Sequence, residues 1–224
     1  GGPCLPLAGG GCQSTGLTLD RAAAAAVTQS SSPANPGDLY HVDMASGATK
    51  KLTACNRDYL SGHTPAGLEK FTVPRQGLQL ECRLWLPPDF DPKGRYPLVL
   101  DIHGGPNGAF YDSFAPVQQV LATSGYLVLA VNPRGSSTYG NEFMFSVLGD
   151  WGGEDFQDLM SALDEVAARP YVDAARLGVH GYSYGGFMSS WAVGHTKRFR
   201  AAVVGAPCTD LYSMCGTSDI GVSF

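Results

Sequence analysis

Residues 176–191 read RLGVHGYSYGGFMSSW. A short apolar run, Arg176–His180, leads into Gly181-Tyr182-Ser183-Tyr184-Gly185, and a run of small and apolar residues, Gly186–Val193, follows. Strand, Gly-x-Ser-x-Gly, then helix is the context in which that pentapeptide means a nucleophile elbow. The turn is tight, so the residues beside the serine must be small, and the serine Oγ is lifted out of the sheet edge. On this reading Ser183 is a candidate nucleophile. The Tyr184 N–H, at the start of a helix, is a candidate oxyanion donor, because unpaired N–H groups and the helix dipole both favour negative charge there. The alternative is a glycine-rich turn with an incidental serine, and the flanks favour the elbow.

Working back from the elbow, Leu98-Val-Leu-Asp-Ile102 and Tyr126–Val131 are short continuous apolar runs, as expected of strands covered on both faces. Leu177–His180 and Phe199–Gly205 read as two more. Between them, helices are predicted over roughly 113–124 and in the stretch that Asp150–Glu154 leads into. In the second, Phe156, Leu159, Met160, Leu163, Val166 and Ala167 recur at helical spacing and Pro170 stops the pattern. Strands alternating with helices imply a parallel α/β sheet, with its functional loops at the carboxyl ends of the strands. The elbow, His103-Gly-Gly-Pro106 and Asn132-Pro-Arg-Gly135 all fall there. Glycines 104 and 105 would let backbone N–H groups approach a substrate oxygen, as in the HGGG-type loop of esterases, and the other reading is a tight turn before Pro106.

Upstream the pattern changes. Glu69–Pro74 and Leu78–Leu86 alternate with period two around Arg75-Gln-Gly77 and read as an antiparallel hairpin. Residues 54–68 form a polar connector. Before it, Asp38–Asp43 and Ala48–Thr53 read as strands separated by Met44–Gly47, and Ser30–Gly37 is a strong turn signal. The alanines from Ala22 suit a helix by propensity, but their flanks argue against one. Strands and turns at this pace resemble one blade of a β-propeller. The predicted division is therefore 1–68, the end of a propeller and a connector, and 69–224, the N-terminal part of an α/β domain.

Composition narrows the function classes. With 44% hydrophobic and 16% charged residues the chain forms a core. A net charge of −5 gives no basic footprint, so a nucleic-acid partner is excluded. No apolar run reaches membrane-spanning length, and residues 1–12 lack the layout of a signal peptide. The missing initiator Met leads us to expect a longer parent chain. Six scattered cysteines lack ligand spacing, so neither a metal site nor a cofactor is expected; Cys82 and Cys208 read as buried thiols, and a reducing cytoplasm is the expected compartment.

Four stretches together resemble the prolyl-oligopeptidase-type serine peptidases, above all the acylaminoacyl-peptidase and bacterial dipeptidyl-aminopeptidase branch. They are YPLVLDIHGGPNG (96–108), GYLVLAVNPRGSSTYGNEF (125–143), GDWGGEDFQDLMSALD (149–164) and RLGVHGYSYGGFMSSW (176–191). The resemblance covers roughly 69–218 and occurs in the family's order. It implies an α/β-hydrolase domain joined to a β-propeller, and a peptidase acting on short or N-blocked peptides through an acyl-enzyme. By the resemblance Ser183 is the nucleophile, and Tyr184 and Gly105 supply the oxyanion N–H groups. His103 becomes a loop residue, and Arg134 either structures the site wall or is a solvated loop arginine.

The same resemblance places the triad's acid and base after the nucleophile, in the order Ser, Asp, His. Beyond Ser183 the one histidine is His195, twelve residues on and about 18 Å away along a helix rising 1.5 Å per residue. His180 is read as a packing residue, His41 and His63 carry no motif, and Asp210 is read as structural. The expectation is a serine peptidase whose acid and base lie outside this stretch. A carboxylesterase and a non-catalytic fragment are the alternatives, and a homo-oligomer is left open.

Overall fold

The computed structural model describes residues 10–221. They fall into two compact units, one running to Pro65 and taking in Tyr111–Val117, the other comprising Ala66–Phe110 and the residues from Gln118 onward.

In the first unit β1 (Gln13–Leu19), β2 (Ala25–Ser32), β3 (Asn35–Asp43) and β4 (Thr49–Lys51) make an antiparallel sheet in sequence order, followed by a short helix α1 (Arg57–Ser61). The alanine run is not helical. The Asp20 carboxylate accepts the Ala24 and Ala25 N–H groups at 2.7 and 3.1 Å, Ala23 takes a positive φ of 51°, and the chain reverses into β2. The turn expected over Ser30–Gly37 shrinks to Pro33 and Ala34. Pro36 and Gly37 are absorbed into β3 at an irregularity where the register shifts between Ser30 and Ser32, with Gly37 at φ 142°. The buried Asp38 carboxylate ties this unit together, accepting from Lys51, Thr53, Asn35 and the Cys55 N–H. The Lys51 ammonium foremost holds it well below the usual carboxylate range.

The second unit is built on a six-stranded sheet. Its strands are β5 (Gly67–Arg75), β6 (Leu78–Leu86), β7 (Tyr96–Ile102), β8 (Leu127–Asn132), β9 (Val172–Tyr182) and β10 (Phe199–Gly205), in the order β10-β9-β7-β8-β6-β5. The hairpin β5–β6 closes through Gln76 and Gly77, at φ 50° and 80°, the double positive φ that suits a two-residue turn to strand twist. The pairings β10–β9, β9–β7 and β7–β8 are parallel. β6 joins antiparallel.

Helices cover both faces. α4 (Glu154–Ala167) and α5 (Tyr184–His195) bury Leu159, Leu163, Val166, Phe187 and Met188 against Leu98, Leu100, Leu129, Leu177 and Val179. Each such side chain taken fully from water contributes roughly 1.5–3 kcal/mol. The alternate positions of the same strands point to the other side, where Gln118 of α2 (Pro116–Thr123) donates to the buried Asp101 of β7. This is the α/β-hydrolase arrangement, preceded by a blade-like antiparallel sheet. Short helices α3 (Asn141–Phe145) and α6 (Leu211–Thr217) occupy loops with no periodic signal. Of the two thiols read as buried, Cys82 is so; burial pushes its thiol up to about 12. Cys208 is only half-buried, because it lies past the end of β10 in irregular chain rather than in the strand.

Candidate active site

The elbow is a backbone device. Ser183 sits between β9 and α5 at φ 62° and ψ −120°, a strained conformation for a residue with a side chain. Two backbone hydrogen bonds hold it: its N–H donates to the Gly205 carbonyl at 2.9 Å, and its own carbonyl accepts from the Phe187 N–H at 2.9 Å. The flanking glycines are fixed by space. A Cβ on Gly181 would stand 2.2 Å from the Gly185 carbonyl oxygen, one on Gly185 2.0 Å from that of Ile102, and one on Gly186 2.2 Å from that of Gly205. No side chain fits at any of the three. The first turn of α5 therefore lies directly on the backbone where β7 leaves the sheet and where β10 ends.

That approach brings the expected site residues together. β7 and β9 are parallel neighbours, so the loop His103–Pro106 and the elbow emerge at the same edge. A Cβ on Gly104 would stand 3.3 Å from the Tyr182 carbonyl oxygen and 3.5 Å from the Ser183 Cβ. Gly105 follows at φ 127°, where a Cβ would strike the backbone nitrogens of Asn107 and Gly108. The Tyr184 N–H, in the first turn of a 12-residue helix, has no intrahelical acceptor. Gly104 thus lies against Ser183, and Tyr184 follows Ser183 in the first turn of α5.

The surrounding loops are held by polar side chains that sequence reasoning missed. Asn107 donates to the carbonyls of Gly135 and Met144 at 2.9 and 3.1 Å, and Asn132 clamps the Phe110 backbone through both its amide oxygen and its amide nitrogen. From α4, the buried Asp155 accepts the Tyr184 hydroxyl at 2.5 Å and the N–H groups of Gly152 and Phe156. Burial raises the pKa of both partners, and the Tyr184 phenol stays a donor. Asp158, also fully buried, accepts the Arg134 backbone N–H and guanidinium and pairs with Arg75. Arg134 is therefore a half-buried anchor, paired with buried Asp158, that shapes the loop rather than a solvated arginine, and its guanidinium pKa is raised, chiefly by the hydrogen bond to Asp158. A signal did exist for both acids: Asp155 and Asp158 share a helix face with Ala162, so their i, i+3 spacing puts carboxylates on the buried side.

None of the described histidines is bonded to Ser183. His103 bridges the Gly104 carbonyl and the Ser136 hydroxyl, and burial lowers its pKa. His180 pairs with Asp101 at 2.7 Å on the face covered by α2. His195 stacks on Trp191 at the far end of α5, with ring centroids 4.0 Å apart. His63 stacks on Tyr59 and His41 lies in β3, both in the first unit. Asp210 caps α6, accepting the Ser213 N–H at 3.0 Å and its hydroxyl at 2.6 Å. Those two bonds keep its pKa low, the hydroxyl foremost.

A profile of the Prolyl oligopeptidase family matches residues 112–223, half of the chain. The chain belongs to the prolyl oligopeptidase family. Among its relatives, this family member is 41% identical over 194 residues to the uncharacterized peptidase YuxL of Bacillus subtilis, covering 86% of this chain and 29% of that protein. It is 36% identical over 188 residues to dipeptidyl-peptidase 5 of Porphyromonas gingivalis, covering 82% and 28%. The fold matches the acylaminoacyl peptidase of Pyrococcus horikoshii with a TM-score of 0.88 and 28% identity, over 96% of this chain and 34% of that one. The prolyl oligopeptidase family chain thus spans about a third or less of the length of the relatives it matches. No helix among the described residues is long and apolar enough to cross a membrane.

Proposed function

We propose that Ser183 is the nucleophile of a serine peptidase that cleaves short or N-blocked peptides through an acyl-enzyme. The observation that carries this is the strained, positive-φ serine between β9 and α5, with three glycines around it that no other residue could replace. Strain of this kind persists where the surrounding structure over-determines it, and function is the usual reason. In the reaction, Oγ attacks the scissile carbonyl carbon while its proton passes to a base. The carbonyl oxygen gathers negative charge between the N–H groups of Tyr184 and Gly105. The leaving amine departs with the proton, and water then releases the acyl group. The described histidines are engaged elsewhere, so on this reading the base is a group outside the described residues. The substrate class is supported by relatives named dipeptidyl-peptidase 5 and acylamino-acid-releasing enzyme.

The test is labelling of the full-length protein with a fluorophosphonate, followed by peptide mapping. Ser183 is expected to carry the adduct, and Ser183→Ala to lose both the adduct and at least ~10³-fold in kcat/KM on a dipeptidyl or acyl-peptide anilide. A folded full-length protein that takes no label would overturn the assignment. Turnover of nitrophenyl esters with none of the anilides would make it an esterase.

A further inference from the structure

We propose that His180 is the titratable counter-ion of the Asp101 carboxylate behind the elbow, a positioning residue whose charge sustains activity as pH falls. The inference rests on the peptidase reading above and deepens it.

A carboxylate taken out of water needs donors on its oxygens and, above all, a counter-charge. Asp101, in β7, is 3% exposed. One of its oxygens lies 2.7 Å from His180 Nδ1, and the other accepts from the Gln118 amide. An amide stays neutral, so of these two partners only His180 can carry a charge. The imidazole has no competing partner of either sign. β7 presents Asp101 to it, α2 presents Gln118 and has no ionisable side chain, and β10 sets Val203 beside it in register. On β9 itself the same face carries Gly178 and the exposed phenol of Tyr182. His103, two residues past Asp101, feels the same carboxylate, but burial lowers its pKa and keeps it neutral. The hydrogen bond to Asp101 foremost raises the His180 pKa above the ordinary 6.5, with burial opposing it.

The pair stands where a charge bears on the reaction. Asp101 and His180 are opposite one another in the parallel register of β7 on β9. The loop His103–Pro106 begins two residues after the first, and Ser183 follows the second by three, roughly 10 Å of extended chain. With His180 protonated the pair is neutral as a whole, and a charge-assisted hydrogen bond ties the two strands together. When the proton leaves, the Nδ1–H still donates, but the pair is left with a charge of −1. That charge acts on the reaction twice and in the same direction. It opposes the negative charge gathering on the substrate oxygen, and it favours the protonated, idle form of the base. A protonated His180 removes both effects at the acid end of the range, where the base is scarcest. Across roughly 10 Å, with an effective dielectric constant between those of protein and water, one unit of charge changes a rate by about three- to tenfold.

Two substitutions in the full-length protein isolate that charge. In His180→Asn the side-chain amide nitrogen takes the place of Nδ1, so the bond to Asp101 is kept and the titration is lost. His180→Gln also lacks a titratable group and serves as the second variant. With a dipeptidyl or acyl-peptide anilide, well below the melting temperatures of all three proteins, the ratio of wild-type to variant kcat/KM is expected to fall about three- to tenfold from about pH 5.5 to about pH 8.5. A loss through packing scales the ratio equally at every pH and leaves no slope. In the wild-type protein, imidazole NMR is expected to titrate His180 above pH 6.5, and in Asp101→Asn at a lower pH. A ratio that is flat or rises with pH for a folded variant, or a wild-type His180 that titrates at or below 6.5, overturns the inference while leaving the peptidase reading intact. A wild-type protein that hydrolyses no acyl or peptidyl substrate overturns that reading and this inference with it.

Discussion

At the scale of single residues, the glycines of the elbow are set by backbone contact and not by turn preference alone. Gly185 and Gly194 lie in the same helix, and alanine is the better helix former at either site. Their surroundings reverse that for one of them. A Cβ at Gly185 would meet the Ile102 oxygen at 2.0 Å, whereas one at Gly194 meets nothing within 4 Å. Gly185→Ala is expected to destabilise the fold by about 3 kcal/mol or more, because the clash is with backbone that cannot move aside. Gly194→Ala is expected to stabilise it by about 0.5 kcal/mol, near the helix end and in solvent. Denaturant midpoints of the two variants, measured side by side, check both signs. The pentapeptide announced small residues around Ser183; which atoms forbid larger ones became visible only when β7, β9 and β10 lay beside α5.

At the scale of elements, three meet behind the elbow where β7, β9 and α2 share a buried polar cluster. His180 Nδ1 lies 2.7 Å from one Asp101 oxygen, and Gln118 donates to the other. His180 was read from the sequence as a packing residue, and its ring does pack on the α2 face, but paired with an acid. The hydrogen bond to Asp101 raises the His180 pKa above its ordinary 6.5, against the opposing effect of burial. A base whose folded pKa is raised adds stability that is fully present below the unfolded value and fades as pH climbs through the folded one. The melting-temperature advantage of wild type over His180→Gln is therefore expected to be larger at about pH 5.5 than at about pH 8.5. Equal advantages at the two pH values would show that Asp101 leaves the His180 pKa where it stands in the unfolded chain. Sequence alone could not find this cluster, since Asp101 and His180 sit in different strands and become neighbours through the register of β7 on β9.

At the scale of the molecule, the sheet ends in β10, whose outer edge is unpaired among the described residues and whose Val203 is 62% exposed. An exposed apolar edge strand is a template for pairing between chains. Residues 1–224 expressed by themselves are expected to self-associate at micromolar concentration, and Val203→Lys to reduce that at least severalfold in light scattering, because a lysine on an edge strand penalises pairing. The α/β alternation, the hairpin, the elbow and the loops at the strand ends were all legible in the sequence, because each is written in local periodicity and turn chemistry. The chain by itself also determined which serine stands in the turn. What only the tertiary structure decided is how that serine's surroundings are held. The strand order set Gly104 against Ser183, the buried face of α4 sent Asp155 to Tyr184 and Asp158 to Arg134, and the loop folded His103 onto its own next carbonyl. Those are contacts between residues distant in sequence, or peptide orientations within a loop, and neither leaves a periodic trace for a sequence to display.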